Sequence, residues 1–203
     1  MLLALVLVEL FTSEGCSSCP PADALLKRLV ETDPNVVGLE LHVDYWDHLG
    51  WKDPFSSRIF TERQKSYGPR LYTPQMVVDG VEAFVGGDER RAREAVERAA
   101  RAPKGTLAVE RTASGIRISG QSDEPGELWL ATVEDGRVSK VERGENEGRT
   151  LAHAPVARSL ERVGAVAGRF SLEARLGGKR RAVAFVQGTR SRRVLAVGLL
   201  AGP

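Results

Sequence analysis

Cys16-Ser17-Ser18-Cys19 sets the two cysteines of this 203-residue chain two positions apart. At the end of a strand and the start of a helix, thiols at that spacing bring their Cα atoms to about 5.5 Å, where a disulfide closes with little strain. A helix N-terminus also favours the thiolate, the form that attacks disulfides. The chemistry indicated is thiol–disulfide exchange. Cys16 is expected to be the exposed attacking thiol and Cys19 the buried resolving thiol, with a mixed disulfide between the two steps. Two other roles suit the same pair. One is a permanent structural disulfide, although so short a loop adds little chain-entropy stabilisation. The other is half of a zinc or copper site completed by His42 or His48, in a chain without a second cysteine pair.

The elements that must position this motif are readable around it. Leu3 to Phe11 is nearly continuously apolar, as expected of a central strand covered on both faces. It has the character of a signal-peptide core, but lacks a basic leader and a small-residue cleavage site, so a strand is the expectation. It is too short to span a membrane. After the motif, Ala22, Leu25, Leu26, Leu29 and Val30 recur at helical spacing. Pro20 and Pro21 fit only the first turn of that helix. Val36 to Val43 reads as a second strand and Ser56 to Tyr67 as a helix. Asp79-Gly80 between Met76–Val78 and Ala83–Val85 is a hairpin signal. Asp88 is placed to cap a helix striped by Ala92, Ala95, Val96, Ala99 and Ala100.

Beyond Pro103-Lys104-Gly105 the period changes to two. Ile116/Ile118, Leu128/Leu130, Phe170/Leu172, Val183/Phe185 and Leu195/Val197 alternate with other residues, between turns such as Asp135-Gly136 and Gly177-Gly178. Ser159 to Gly164 could form a helical turn. The expected architecture is an α/β unit over 1–102 in the order β-α-β-α-β-β-α, then an all-β sandwich-like unit over 105–203. Charge divides the same way, with net −3 up to residue 104 and net +5 beyond it. That asymmetry is too weak and too scattered for nucleic-acid binding, and Arg180-Arg181 and Arg192-Arg193 read as solvated edges. No phosphate-binding loop and no nucleophile elbow occurs.

Residues 1–102 resemble the thioredoxin superfamily in this element order, in the strand that runs into Cys16-Ser17-Ser18-Cys19, and in Thr73-Pro74 just before the hairpin. The resemblance implies a cis-proline at Pro74 facing the cysteines, with Thr73 beside it helping to hold the substrate backbone. Longer runs are similar to a bacterial family of thioredoxin-like proteins of unknown function, the domain-of-unknown-function family 1223. These runs are Val8 to Asp23, His42 to Asp47, Gly50 to Phe55 and Thr73 to Met76. The resemblance implies a periplasmic or secreted protein, while the residues alone leave a cytoplasmic one open. The family supplies no established reaction; the cysteine pair with Pro74 in this order points to protein thiols or disulfides, or a small thiol, as partners, with no cofactor beyond the redox disulfide unless zinc or copper is bound.

The chain departs from well-studied thioredoxins in having Ser-Ser between the cysteines. The position six before the first cysteine, often a buried acid, is Leu10. A one-residue longer loop with Gly15 inserted would return Glu9 to that inner position as a proton relay; otherwise Glu9 is a strand-edge carboxylate on the other face. The segment from His42 to Pro54 is rich in aromatic and ionisable residues. It reads either as a loop shaping the substrate groove through Asp44, Trp46 and Trp51, or as a miniature core with Asp47 and Asp53 capping turns. His153 is expected to be a satisfied polar residue of a strand. A non-catalytic interaction protein is the remaining alternative.

Overall fold

The β1 strand, Val6–Thr12, is buried along its whole length. Its alternation serves two cores. Val6, Val8 and Leu10 face α1 (Pro20–Thr32) and α3 (Glu89–Arg101), while Leu7 and Phe11 face the opposite side. The computed structural model describes residues 4–176 and 180–200, so Leu3 and the expected Gly177-Gly178 turn lie outside the described residues. β1 pairs in parallel with β2 (Val36–His42) and antiparallel with β3 (Gln75–Val78), which turns back into β4 (Glu82–Val85). The hairpin turn has positive φ at both Asp79 (49°) and Gly80 (73°). An Asp-Gly pair accepts that geometry readily. Asp88 caps α3 as expected, accepting from Arg91 N at 3.0 Å. The second helix, α2, spans Arg58–Lys65.

The remaining strands are β5 (Leu107–Arg111), β6 (Ile116–Glu134), β7 (Val138–Lys140), β8 (Thr150–Ala152), β9 (Val156–Ala174), β10 (Arg181–Gly188) and β11 (Val194–Leu200). In place of a separate sandwich, most of them extend the first sheet. One nine-stranded mixed sheet runs β11-β10-β6-β9-β2-β1-β3-β4, with β5 on β6, and β7 and β8 form a small ribbon apart. The junction is the parallel pairing of β2 with β9, through Glu40 and Val156. Ser159 to Gly164 belongs to β9 rather than to a helical turn.

The physical reason for continuity is burial on both faces. In β10, Ala182, Ala184 and Val186 pack with Ile116, Ile118 and Leu130. Val183 and Phe185 pack with Leu7, Phe11, Leu39, Leu41 and the α2 residue Phe60. The β-rich half therefore supplies one wall of the core that covers the back of β1 and β2. The molecule is a mixed α/β structure with one large mixed sheet.

Candidate functional site

Cys16 and Cys19 form a disulfide, with Cα atoms 5.4 Å apart. The motif lies between β1 and α1, and Cys19 is the N-cap of α1. Pro20 and Pro21 fill the first helical positions, where no intrahelical N–H is required. Asp23 and Ala22 donate their backbone N–H to Cys19 O. The helix dipole therefore acts most directly on Cys19, with Cys16 a turn ahead of the helix.

Cys16 is not the exposed thiol expected. It is 1% exposed and Cys19 is 0% exposed, while Ser17 and Ser18 between them face solvent. The segment joining β7 to β8 holds the backbone of the motif. Asn146, itself buried, donates from Nδ2 to Glu14 O at 2.8 Å and to Cys16 O at 2.9 Å. Ser17 N donates to the Glu145 carboxylate at 2.9 Å. Nothing in the spacing of residues 141–149 foretells that they hold a motif some 130 positions earlier.

Two further elements are linked to the loop before Cys16. Thr73-Pro74 is a cis peptide. Trp46 donates from its indole to Thr73 Oγ1 at 2.9 Å, and its Cβ lies 3.3 Å from where a Cβ on Gly15 would stand. Trp46 thus bridges the loop before Cys16 and the turn at Pro74. Trp51 reaches the same loop by donating to Glu14 Oε2 at 2.7 Å. Asp44 lies elsewhere, accepting from Thr61 Oγ1 at 2.5 Å and so fastening the 3-10 turn Asp44–Leu49 to α2. Asp47 and Asp53 do act as caps, Asp47 accepting from Asp53 N at 3.3 Å and Asp53 from Phe55 N at 2.9 Å.

Glu9 takes the other-face position. It is buried opposite α1 and ion-paired with Arg63 of α2 at 2.8 Å, and it also accepts from Tyr67. The alternation of β1 is unbroken, so Gly15 does not restore it to the α1 side. The carboxyl on that side is Asp23, one helical turn after Cys19 and 4% exposed. Thr12 Oγ1 donates to it at 2.7 Å. Burial, with the Glu40 charge second, pushes the Asp23 carboxyl well above the ordinary range. Its position four residues after Cys19, beside the apolar stripe, is the sequence signal that points to it.

Behind this loop lies a buried acid–base cluster. His42 Nδ1 is 2.7 Å from Asp53 Oδ2, and His153 Nδ1 is 2.9 Å from Glu40 Oε1. Ser139 Oγ lies 3.0 Å from His153 Nε2 and donates to Glu14. Burial alone would lower both imidazoles. The Asp53 and Glu40 carboxyls instead raise His42, and hydrogen bonds to Glu14 and Glu40 raise His153 to about 9. Burial would raise Glu40 and Asp53, but His153 and His42 hold Glu40 below its ordinary value, and His42 with the backbone N–H groups of Glu14 and Phe55 does the same for Asp53. His42 therefore joins Glu40 and His153 rather than the cysteines. His48 is exposed on the 3-10 turn, and the thiols are tied up in their disulfide. His153 lies just beyond β8, inside a charge network rather than along a strand.

The crystal structure of protein AGR_C_4864 from Agrobacterium tumefaciens superposes with a TM-score of 0.84 at 25% identity, covering 98% of this chain and 96% of that one. HBP35 of Porphyromonas gingivalis superposes at 0.64 with 13% identity, covering 98% and 76%, and supports the fold alone. No curated protein matches the sequence. Among the described residues, no helix is long and apolar enough to cross a membrane. The family model described as "Protein of unknown function (DUF1223)" matches residues 7–188, and the chain belongs to that family.

Proposed function

We propose that this protein is a thioredoxin-like thiol–disulfide oxidoreductase that exchanges disulfides with protein thiols or a small thiol through Cys16 and Cys19. The observation carrying this reading is a closed Cys16–Cys19 disulfide at the N-terminus of α1, with Trp46 linking the loop before it to the cis Thr73-Pro74 turn. A partner thiolate attacks Cys16 Sγ, forming the mixed disulfide as the bond to Cys19 breaks. Cys19 leaves as a thiolate at the helix N-terminus, where the dipole stabilises it. Asp23, one turn further along α1 and protonated more readily than an ordinary carboxyl, is the group this reading assigns to supply that thiolate with a proton. A second partner thiol then attacks the mixed disulfide and releases Cys16, so the partner dithiol is oxidised and the protein pair reduced. Because Cys16 is buried and the 141–149 segment holds the backbone of the motif, on this reading that segment releases before the first attack.

The reading fits an oxidising, extracytoplasmic compartment, where such a bond persists. Its test is a dithiol-oxidation and insulin-reduction assay on wild type, Cys16→Ser and Cys19→Ser. Both variants are expected to lose turnover, and Cys19→Ser to accumulate mixed disulfide through Cys16. Wild-type turnover in Cys16→Ser would overturn the proposal.

A further inference from the structure

We infer that Glu40, His42 and His153 form a binding site for a divalent d-block cation, zinc by its donor set, buried behind the redox loop. One ligand atom from each residue lies within 4.8 Å of the others, and all three side chains are buried. His153 Nδ1 and His42 Nε2 stand 2.9 Å and 3.3 Å from Glu40 Oε1. Zinc bonds of about 2.0–2.1 Å place tetrahedral ligands roughly 3.3 Å apart, so little movement separates this arrangement from a coordinating one.

Two buried atoms point to a missing partner. His42 Nε2 makes no hydrogen bond despite its approach to Glu40, and Glu40 Oε2 makes none either. Unpaired buried polar atoms are costly, and a metal ion would satisfy both. The outward nitrogens are already engaged as metal-ligating histidines require. Asp53 Oδ2 holds His42 Nδ1 at 2.7 Å, and Ser139 Oγ, itself bonded to Glu14, lies 3.0 Å from His153 Nε2. Such outer partners orient the rings, turning His42 Nε2 and His153 Nδ1 toward Glu40, where a metal would replace the His153 Nδ1–Glu40 hydrogen bond. The charges are compatible, because Glu14, Glu40 and Asp53 all lie within ion-pair distance of the two imidazoles, and a dication would take the place of their ring protons. A surface cavity of about 250 Å³ lined by Lys27, Glu31, Asp135 and His153 adjoins the cluster at His153. Two histidines and one carboxylate leave room for a fourth ligand, either Glu40 Oε2 or water.

The test is Zn²⁺ binding to the metal-stripped full chain, measured by chelator competition and metal analysis, with Co²⁺ as a spectroscopic probe. About one equivalent is expected, held equally by wild type and by the Cys16→Ser/Cys19→Ser double variant. The Co²⁺ spectrum should show d–d bands without a thiolate charge-transfer band. Glu40→Gln and His153→Gln should weaken binding by more than tenfold, and Asp53→Asn by 10–100-fold. If these variants fail to fold by circular dichroism, the wild-type stoichiometry and Co²⁺ spectrum decide. No binding to folded wild type at micromolar Zn²⁺, or binding lost only with the cysteines, would overturn the inference. Because metal is read in the cysteine-free protein, loss of the redox reading leaves this result standing.

Discussion

Arg63 is buried by four kinds of partner at once. Its guanidinium pairs with Glu9, donates to Gln187 Oε1 at 2.7 Å and to Tyr67, and lies 5.1 Å and 5.2 Å from the ring centres of Trp129 and Phe185. Removing one member of such a pair leaves a buried charge uncompensated. Arg63→Met is expected to cost about 3–5 kcal/mol in urea unfolding, and Glu9→Gln in the same chain should recover part of that loss. Burial, then the Glu9 charge, pushes the Tyr67 phenol well above its ordinary value of 10. A raised folded value gives stability that is complete below about pH 10 and lost as pH rises through the folded value. Ultraviolet titration should therefore show Tyr67 ionising only with unfolding, and Tyr67→Phe should remove that latent step. Among these residues only Glu9 was legible in the sequence as a site candidate, and its partner could not be read. Strand alternation fixes which face Glu9 takes, but Arg63 stands 54 positions away on another element.

At the scale of elements, the local signals around the cysteines were the most legible. The apolar run of β1, the stripe of α1 and the Asp79-Gly80 turn each rest on interactions within a few residues. The segment between β7 and β8 was not legible, because its hold on the motif is made by Asn146 and Glu145 across long sequence separations. Asn146 makes two of these bonds to backbone carbonyls. Losing them removes roughly 1–3 kcal/mol from the closed state, or about five- to 150-fold in the population open. Asn146→Ala is expected to accelerate reduction of the Cys16–Cys19 disulfide by dithiothreitol by that factor while the far-ultraviolet spectrum stays unchanged. An unchanged rate would show that the segment does not gate the disulfide.

Across the whole molecule, the α/β order and the strand-rich second half were visible as patterns, but their union in one sheet was not. Period-two alternation in 105–203 suggests a sheet with its own core. The clue against that reading was Ala182 to Val186, an unbroken apolar run that needs cover on both faces. Its Val183 and Phe185 complete the core behind β1 and β2. A fragment of residues 1–102 alone would expose Leu7, Phe11, Leu39 and Leu41 on that side. It is expected to bind a hydrophobic dye and to lack a cooperative urea transition, whereas the full chain unfolds in one. A sharp transition in the fragment would show instead that the first half is an autonomous domain.

The most direct measurement is the reduction potential of the Cys16–Cys19 pair in folded, metal-free protein, titrated against dithiothreitol and glutathione couples. A working exchange site predicts one reversible two-electron transition between about −270 and −120 mV, absent from Cys16→Ser, with the near-ultraviolet spectrum retained in both forms. A potential below about −300 mV, or reduction that proceeds only as the protein unfolds, would identify a structural bond and contradict the account.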